Sequence, residues 1–194
     1  EVLRPPELAD DVDEAVGVDA GLNGAKSFSP ASVKEGGTAR VTVTLSNDTA
    51  APLTGVTMLD DGLVGVVVAN PANAATSCGG MATVTANPGA SSVQLSGATI
   101  PAAGRCDVAF DVIANGNGEW KNTIAPGNIQ SAEGAKNTAA ITANLGKQTA
   151  ELAINKSFSK LLVQGNEPSV LRLDVINTSP IAMEDVSFTD AFPK

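Results

Sequence analysis

The sequence predicts an all-β fold, an antiparallel β-sandwich of immunoglobulin type. Short segments alternate apolar and polar residues, as in ARVTVTLSN at 39–47, where Val41, Val43 and Leu45 share one face. Turn sequences such as NGNG at 115–118 separate these segments, and no segment has the apolar stripe of an amphipathic helix. Many short strands joined by such turns are typical of a sandwich.

Further strands are predicted by the same alternation. The Ala-rich stretch 132–143 favours a helix by propensity alone, but its Thr and Asn residues favour a strand. In chain order, the other predicted strands are 55–60, 64–69, 82–86, 91–96, 106–113, 120–125, 137–145 and 171–177.

The sequence matches itself when it is shifted by 130 positions. KSFSPASV at 26–33 returns as KSFSKLLV at 156–163, and the apolar positions that follow also match without a gap. Similarity at a fixed spacing predicts a tandem structural repeat. We therefore expect one complete immunoglobulin-like domain at 20–149 and the first strands, about a third, of a second at 150–194.

The composition restricts the partners. Twelve Lys and Arg residues against 21 Asp and Glu residues give a net charge of −9, and nucleic acids and anionic membranes select basic surfaces instead. No apolar run is long enough to span a membrane. We expect neither nucleic acid nor a membrane span in this segment.

The composition also argues against catalysis. The chain has no His, which removes the commonest general base and most zinc sites. Asp60 and Asp61 form a carboxylate pair, but adjacent residues of a strand point to opposite faces. We therefore predict that the protein is not an enzyme and has no catalytic residues.

Residues 1–19 differ from the rest of the chain because they are acidic and contain paired prolines. We interpret them as a linker or the end of a preceding unit. Val16, Val18 and Leu22 lie at alternating positions, as the residues on one face of a strand do. The segment around 12–22 is therefore also a candidate strand donor to another chain.

The same segment contains weak candidates for a calcium site, and no other cofactor is expected. Asp10, Asp11 and Asp13 carry the hard oxygen ligands that calcium prefers. Their spacing matches no EF-hand loop, so a solvated acidic linker is the favoured interpretation.

Two cysteines, Cys78 and Cys106, lie in the complete domain. Two cysteines that flank a hairpin-like stretch, one on each side, favour a disulfide over two buried thiols. We expect a structural disulfide, which indicates an oxidising compartment.

Lys26 lies two residues before Phe28 and therefore on the same face of the first strand. An inward-facing lysine must be desolvated and paired. One interpretation is an amide bond from Lys26 to Asn137 in the last strand, assisted by Asp60 or Asp61. The other is a side chain that reaches the domain edge and forms a salt bridge with Asp60.

The sequence from 26 to 61 resembles the opening of the immunoglobulin-like repeats of large bacterial surface proteins, the DUF11-like class. The similarity consists of Lys-x-Phe-x-Pro at 26–30, Asn47 at the end of the second strand, and the V-x-M-x-D variant of V-x-F-x-D at 56–60. It continues in TSCGG at 76–80, in IPAAGRCDVAFDV and in NTAAITANL. The resemblance implies extracellular display at a bacterial surface, tandem stacking, a mechanical or adhesive role and no enzymatic activity.

Together these features predict a structural repeat module of a bacterial extracellular stalk, adhesin or filament. Its partners would be neighbouring repeats, or identical subunits that add the N-terminal segment as a strand to the incomplete second unit. The alternative is an adhesin domain that binds carbohydrate or protein through end loops around Asn117, Glu119 and Trp120.

Overall fold

The computed structural model describes residues 21–116, 118–179 and 182–191, which form sixteen strands and no helix. The all-β prediction is confirmed. The strands are β1 Leu22–Ser29, β2 Ser32–Val33, β3 Thr38–Asn47, β4 Leu53–Asp60, β5 Gly62–Val64, β6 Val66–Val68, β7 Ala75–Thr76, β8 Gly79–Thr85, β9 Val93–Ile100, β10 Arg105–Ala114, β11 Lys121–Ile124, β12 Ile129–Gln130, β13 Ile141–Asn144, β14 Gly146–Lys147, β15 Leu152–Phe158 and β16 Leu171–Asn177.

The largest sheet has the order β1-β3-β10-β6, and β7 also pairs with β10. Both central strands alternate strictly: Val41 and Val43 of β3 and Val108 and Phe110 of β10 are fully buried, while their sequence neighbours are partly exposed or exposed. The period of two therefore gives this sheet one apolar face, which forms half of the core.

A second antiparallel sheet, β12-β4-β9-β8, supplies the other half of the core. Val56 and Met58 of β4 and Leu95 and Ile100 of β9 are fully buried in the same hydrophobic cluster as the first sheet. The result is a sandwich-like arrangement of two apolar faces.

A third, small sheet, β13-β11-β5, closes one side of this core. The predicted strand 64–69 is here divided between β5 and β6, because Gly65 has a φ of +65°. Only glycine adopts this conformation without strain. The break lets β5 pair with β11 while β6 pairs with β10.

The predicted strand 137–145 is shorter than expected. Only β13, from Ile141 to Asn144, is regular, and Asn137 lies before it in a loop. The stretch 132–143 contains no helix. The other strands predicted from alternation are present, with shifted ends.

Two strand pairs lie outside these sheets: β2 pairs with β14 in parallel, and β15 pairs with β16 in the segment after residue 150. Leu152 pairs with Asn177 and Phe158 with Leu171, which is the register of Leu22 with Asn47 and of Phe28 with Val41 shifted by 130 positions. The β1–β3 and β15–β16 pairs are therefore both antiparallel and have the same register.

Candidate functional site: a buried lysine, aspartate and asparagine

Three strands each place one polar residue in an otherwise apolar inward-facing row. Lys26 lies in β1 two residues before Phe28, and Asp60 ends the row of Val56 and Met58 in β4. In β11, Asn122 lies between Trp120 and Ile124, both of which are buried. The strand period that builds the core therefore also turns these three polar groups inward.

The three side chains meet at a single oxygen atom. Lys26 Nζ donates to Asp60 Oδ2 at 2.8 Å, and Asn122 Nδ2 donates to the same oxygen at 2.8 Å. The side chains of Lys26 and Asp60 have 0% exposure, and Asn122 is likewise fully buried. We call these residues the Lys26–Asp60–Asn122 cluster.

The hydrogen bonding of the cluster is incomplete. Asp60 Oδ1 and Asn122 Oδ1 are buried and have no partner. A buried carboxylate is stable only when its lone pairs accept hydrogen bonds, so the ionised form of Asp60 is poorly satisfied here. A proton on Asp60 Oδ1 would remove this charge.

Burial shifts the pKa of both ionisable groups toward the neutral forms. Desolvation raises the pKa of Asp60, and the attraction of Lys26 opposes this rise only in part. Desolvation likewise lowers the pKa of the Lys26 amine, with the attraction of Asp60 acting in the other direction. The site therefore favours a free amine beside a carboxylic acid more than water does.

Gly62 allows β11 to approach Asp60 closely. A Cβ atom at residue 62 would overlap the carbonyl oxygen of Thr123 on the paired strand. Because residue 62 has no side chain, the turn after Asp60 packs directly against β11 beside Asn122.

Two residues named from the sequence are placed outside this cluster. Asn137 uses its amide in the local backbone: its Oδ1 accepts from Ile129 N at 2.9 Å and its Nδ2 donates to two carbonyl oxygens at 2.9 Å. Asp61 faces outward and accepts from Asn128 at 3.1 Å. The structure therefore places Asn122 and Asp60 beside Lys26, and not Asn137 or Asp61.

Asn122 could have been identified from the sequence. In WKNTIA, the alternation that turns Trp120 and Ile124 inward does the same for Asn122. The assumption that 137–145 is one continuous strand directed attention to Asn137 instead.

The disulfide between Cys78 and Cys106 is present, with 4.8 Å between the two Cα atoms. Cys106 lies in β10 and Cys78 directly precedes β8, so the bond joins the two main sheets. The prediction from the cysteine count is confirmed.

The segment after residue 150 repeats parts of this site. Lys156 Nζ donates to Asp190 Oδ1 at 2.6 Å, and these residues are the equivalents of Lys26 and Asp60 at a spacing of 130. Asn177 Oδ1 accepts from the backbone N–H of residue 179 at 2.9 Å, as Asn47 Oδ1 does from residue 49.

In the loop proposed for ligand binding, the aromatic side chain is not exposed to solvent. Trp120 is 2% exposed, and its Nε1 donates to Gly116 O at 3.0 Å. The Lys147 ammonium lies 4.7 Å from the centre of the indole ring. The indole therefore belongs to the core, whereas Glu119 is exposed and Asn117 lies outside the described residues.

The other candidates from the N-terminal segment are only partly visible. Val16, Val18, Asp10, Asp11 and Asp13 lie outside the described residues, so the donor and calcium predictions remain predictions. Leu22 is fully buried in β1 of its own domain.

The described residues contain neither a candidate metal site nor a candidate membrane-spanning helix. Within the ranges that the structure covers, no group of three or more His, Cys, Asp or Glu residues is arranged to hold a metal ion. The same ranges contain no helical segment capable of crossing a lipid bilayer.

Comparison with known proteins gives a family but no function. A family model described as "Domain of unknown function (DUF7933)" matches residues 24–146, which include the whole Lys26–Asp60–Asn122 cluster. No curated protein matches the chain. The resemblance to the DUF11-like class therefore stays a prediction.

Proposed function

The chain belongs to the family of DUF7933 domains, and we propose that it is a structural module of a bacterial extracellular stalk, adhesin or filament, in which such units follow one another end to end. The observation that carries this proposal is the recurrence after residue 150. The β15–β16 pair has the register of the β1–β3 pair at a constant spacing of 130, and a Lys–Asp pair recurs with it. Constant spacing of sequence and contacts is typical of stacked repeats.

The disulfide supports an extracellular location. Cys78 and Cys106 bridge the two main sheets. Structural disulfides form and persist in oxidising compartments and are rare in the cytosol. A surface module also needs no basic patch, in keeping with the net charge of −9.

A ligand-binding adhesin domain is the less favoured candidate. Such a site would use an exposed aromatic residue in an end loop. Trp120 is instead buried and hydrogen-bonded. The rigid, disulfide-linked body of the domain favours a spacer that carries load.

The location is tested with an antibody against the folded domain, applied to intact cells of the source organism. We expect labelling of intact cells that is lost after mild external proteolysis, with a cytoplasmic protein as the unlabelled control. Labelling only after lysis would contradict the proposed location.

Light scattering distinguishes the two forms of stacking. A filament built by strand addition predicts polymers of 1–194 that become monomers when residues 1–19 are deleted. A stalk in which the units follow in one chain predicts monomers in both cases. Polymers that persist after the deletion would exclude residues 1–19 as the donor.

A further inference from the structure

We propose that the domain forms an internal amide bond between Lys26 Nζ and Asn122 Cγ, with Asp60 as the catalytic acid and base. The bond would join β1 to β11 across the core. It is independent of where the protein is located or how its units stack.

The positions of the reacting atoms support this step. Lys26 Nζ and Asn122 Nδ2 each lie 2.8 Å from Asp60 Oδ2, so the two nitrogen atoms are no more than twice that distance apart. Asn122 Cγ is bonded directly to Asn122 Nδ2. A short displacement of the lysine side chain therefore brings the amine to the amide carbon.

The surroundings favour the reactive protonation states. An amine attacks only when it carries a lone pair, and burial lowers the pKa of Lys26. An acid must hold a proton to give it away, and burial raises the pKa of Asp60. The side chains of Lys26 and Asp60 are fully shielded and Asn122 is fully buried, so water does not compete for the amide carbon.

The reaction balances without any other reactant. The neutral amine of Lys26 adds to Asn122 Cγ, and Asp60 stabilises the developing negative charge on Oδ1 through a hydrogen bond. Asp60 then takes a proton from the attacking nitrogen and delivers one to Nδ2. The Cγ–Nδ2 bond breaks, ammonia leaves, and the Cγ–Nζ bond remains; nothing is oxidised or reduced.

The unpartnered oxygens of the site favour this outcome over a permanent ion pair. In the ionised state, Asp60 Oδ1 and Asn122 Oδ1 are both buried without a donor. A buried ion pair stabilises a fold only when such atoms are satisfied. After the reaction no charge is left, and a protonated Asp60 can donate to the new amide.

Residues after 150 provide an internal control. Lys156 and Asp190 form the equivalent ion pair, but their side chains are 41% and 23% exposed. Because this pair is open to water, unlike Lys26 and Asp60, we expect no amide bond at Lys156.

The test is the intact mass of the purified chain after reduction of its disulfide. The expected mass is about 17 Da below the mass of the sequence, because one ammonia is lost. Tandem mass spectrometry of a digest must then identify a branched peptide that joins Lys26 to Asn122. A full-length mass, or a loss with no such peptide, would overturn the proposal.

Variants separate this bond from other reactions. Succinimide formation at Asn-Gly sequences such as Asn23 also releases ammonia, but it would persist in Lys26→Arg. We expect the loss to disappear in Lys26→Arg, Asp60→Ala and Asn122→Ala and to remain in Asn137→Ala. Circular dichroism shows whether each variant is folded. If a variant does not fold, the intact mass and the branched peptide of the parent chain still decide the proposal.

Two other outcomes would contradict the assignment. A loss of about 18 Da, with a peptide that joins Lys26 to Asp60, would mean that the carboxyl group is the acceptor. Loss of the branched peptide in Asn137→Ala but not in Asn122→Ala would restore the acceptor inferred from the sequence.

Discussion

Individual side chains of this domain connect elements that the backbone leaves separate. Asn47 is fully buried at the end of β3, and its Nδ2 donates to Ala51, Ile100 and Pro101 carbonyl oxygens at 2.8–3.2 Å. Its Oδ1 accepts from Thr49. A buried amide with both ends satisfied fixes a loop more specifically than apolar packing does.

Glu133 shows the same principle at the surface. Its carboxylate accepts from the hydroxyl and the backbone N–H of Thr54, and these bonds lower the pKa of Glu133 to about 2 from 4.5. Since the folded-state pKa is depressed, the stabilisation is present above pH 4.5 and is lost as the pH falls toward about 2.

We predict that Thr54→Val raises the pKa of Glu133, because the variant removes the hydroxyl donor and keeps the backbone donor. Thr54→Ser retains the hydroxyl and is the matched control. An NMR titration of the Glu133 carboxyl measures both. An unchanged pKa in Thr54→Val would mean that the hydroxyl does not hold the carboxylate.

The residue pattern explains why the site was only partly predictable. The period of two predicted that Lys26 shares a face with Phe28, and it applied equally to Asn122 between Trp120 and Ile124. Lys26, Asp60 and Asn122 lie in strands of three different sheets. Their meeting depends on long-range contacts that no local sequence pattern contains.

Among the elements, the small sheet β13-β11-β5 is the least evident from sequence and has the greatest effect on the site. β11 has only four residues, and its neighbour β5 has three. Their pairing depends on two glycines: Gly65 separates β5 from β6, and Gly62 permits the close approach to Thr123. The alternation in 64–69 predicted one strand because it cannot reveal where the chain changes sheets.

We predict that Gly62→Ala destabilises the domain by about 1–3 kcal/mol, because the added Cβ forces β5 away from the Thr123 backbone. The same displacement separates Asp60 from Asn122 and should reduce the fraction of chains that lose ammonia. Urea unfolding and intact mass measure the two effects.

Gly118→Ala is the control for this substitution. A Cβ atom at residue 118 meets nothing within 4 Å, so we expect a change within about 0.5 kcal/mol. Equal effects of the two substitutions would show that the contact with Thr123 is not responsible.

At the scale of the whole molecule, the chain has two parts of very different burial. The first contains the apolar core of the three sheets and the disulfide. In the second, the β15–β16 pair has a register that matches the first domain, yet its large apolar side chains are exposed, among them Ile154, Phe158 and Val175. Within the residues that the structure describes, local strand pairing thus recurs without a facing sheet that would bury it.

This difference predicts where a protease cuts first. Leu161 and Leu162 are 94% and 93% exposed in the irregular segment between β15 and β16. Met81 is 88% exposed but lies in β8, at an irregularity between two stretches that pair with β9. A protease binds an extended stretch of backbone, which a paired strand does not release without local unfolding. Exposure of the side chain alone is therefore insufficient for cleavage.

We predict that chymotrypsin cleaves first after Leu161 or Leu162 and leaves a resistant fragment in which residues 21–149 stay intact. The double variant Leu161→Ser, Leu162→Ser should slow this first cut and leave the rate at Met81 unchanged. Mass spectrometry of a short time course identifies both sites. Cleavage at Met81 at the same rate would mean that the first domain opens as readily as the second part. Resistance at both sites would instead require that residues 150–191 be covered in solution, and polymers in light scattering would identify another copy of the chain as the cover.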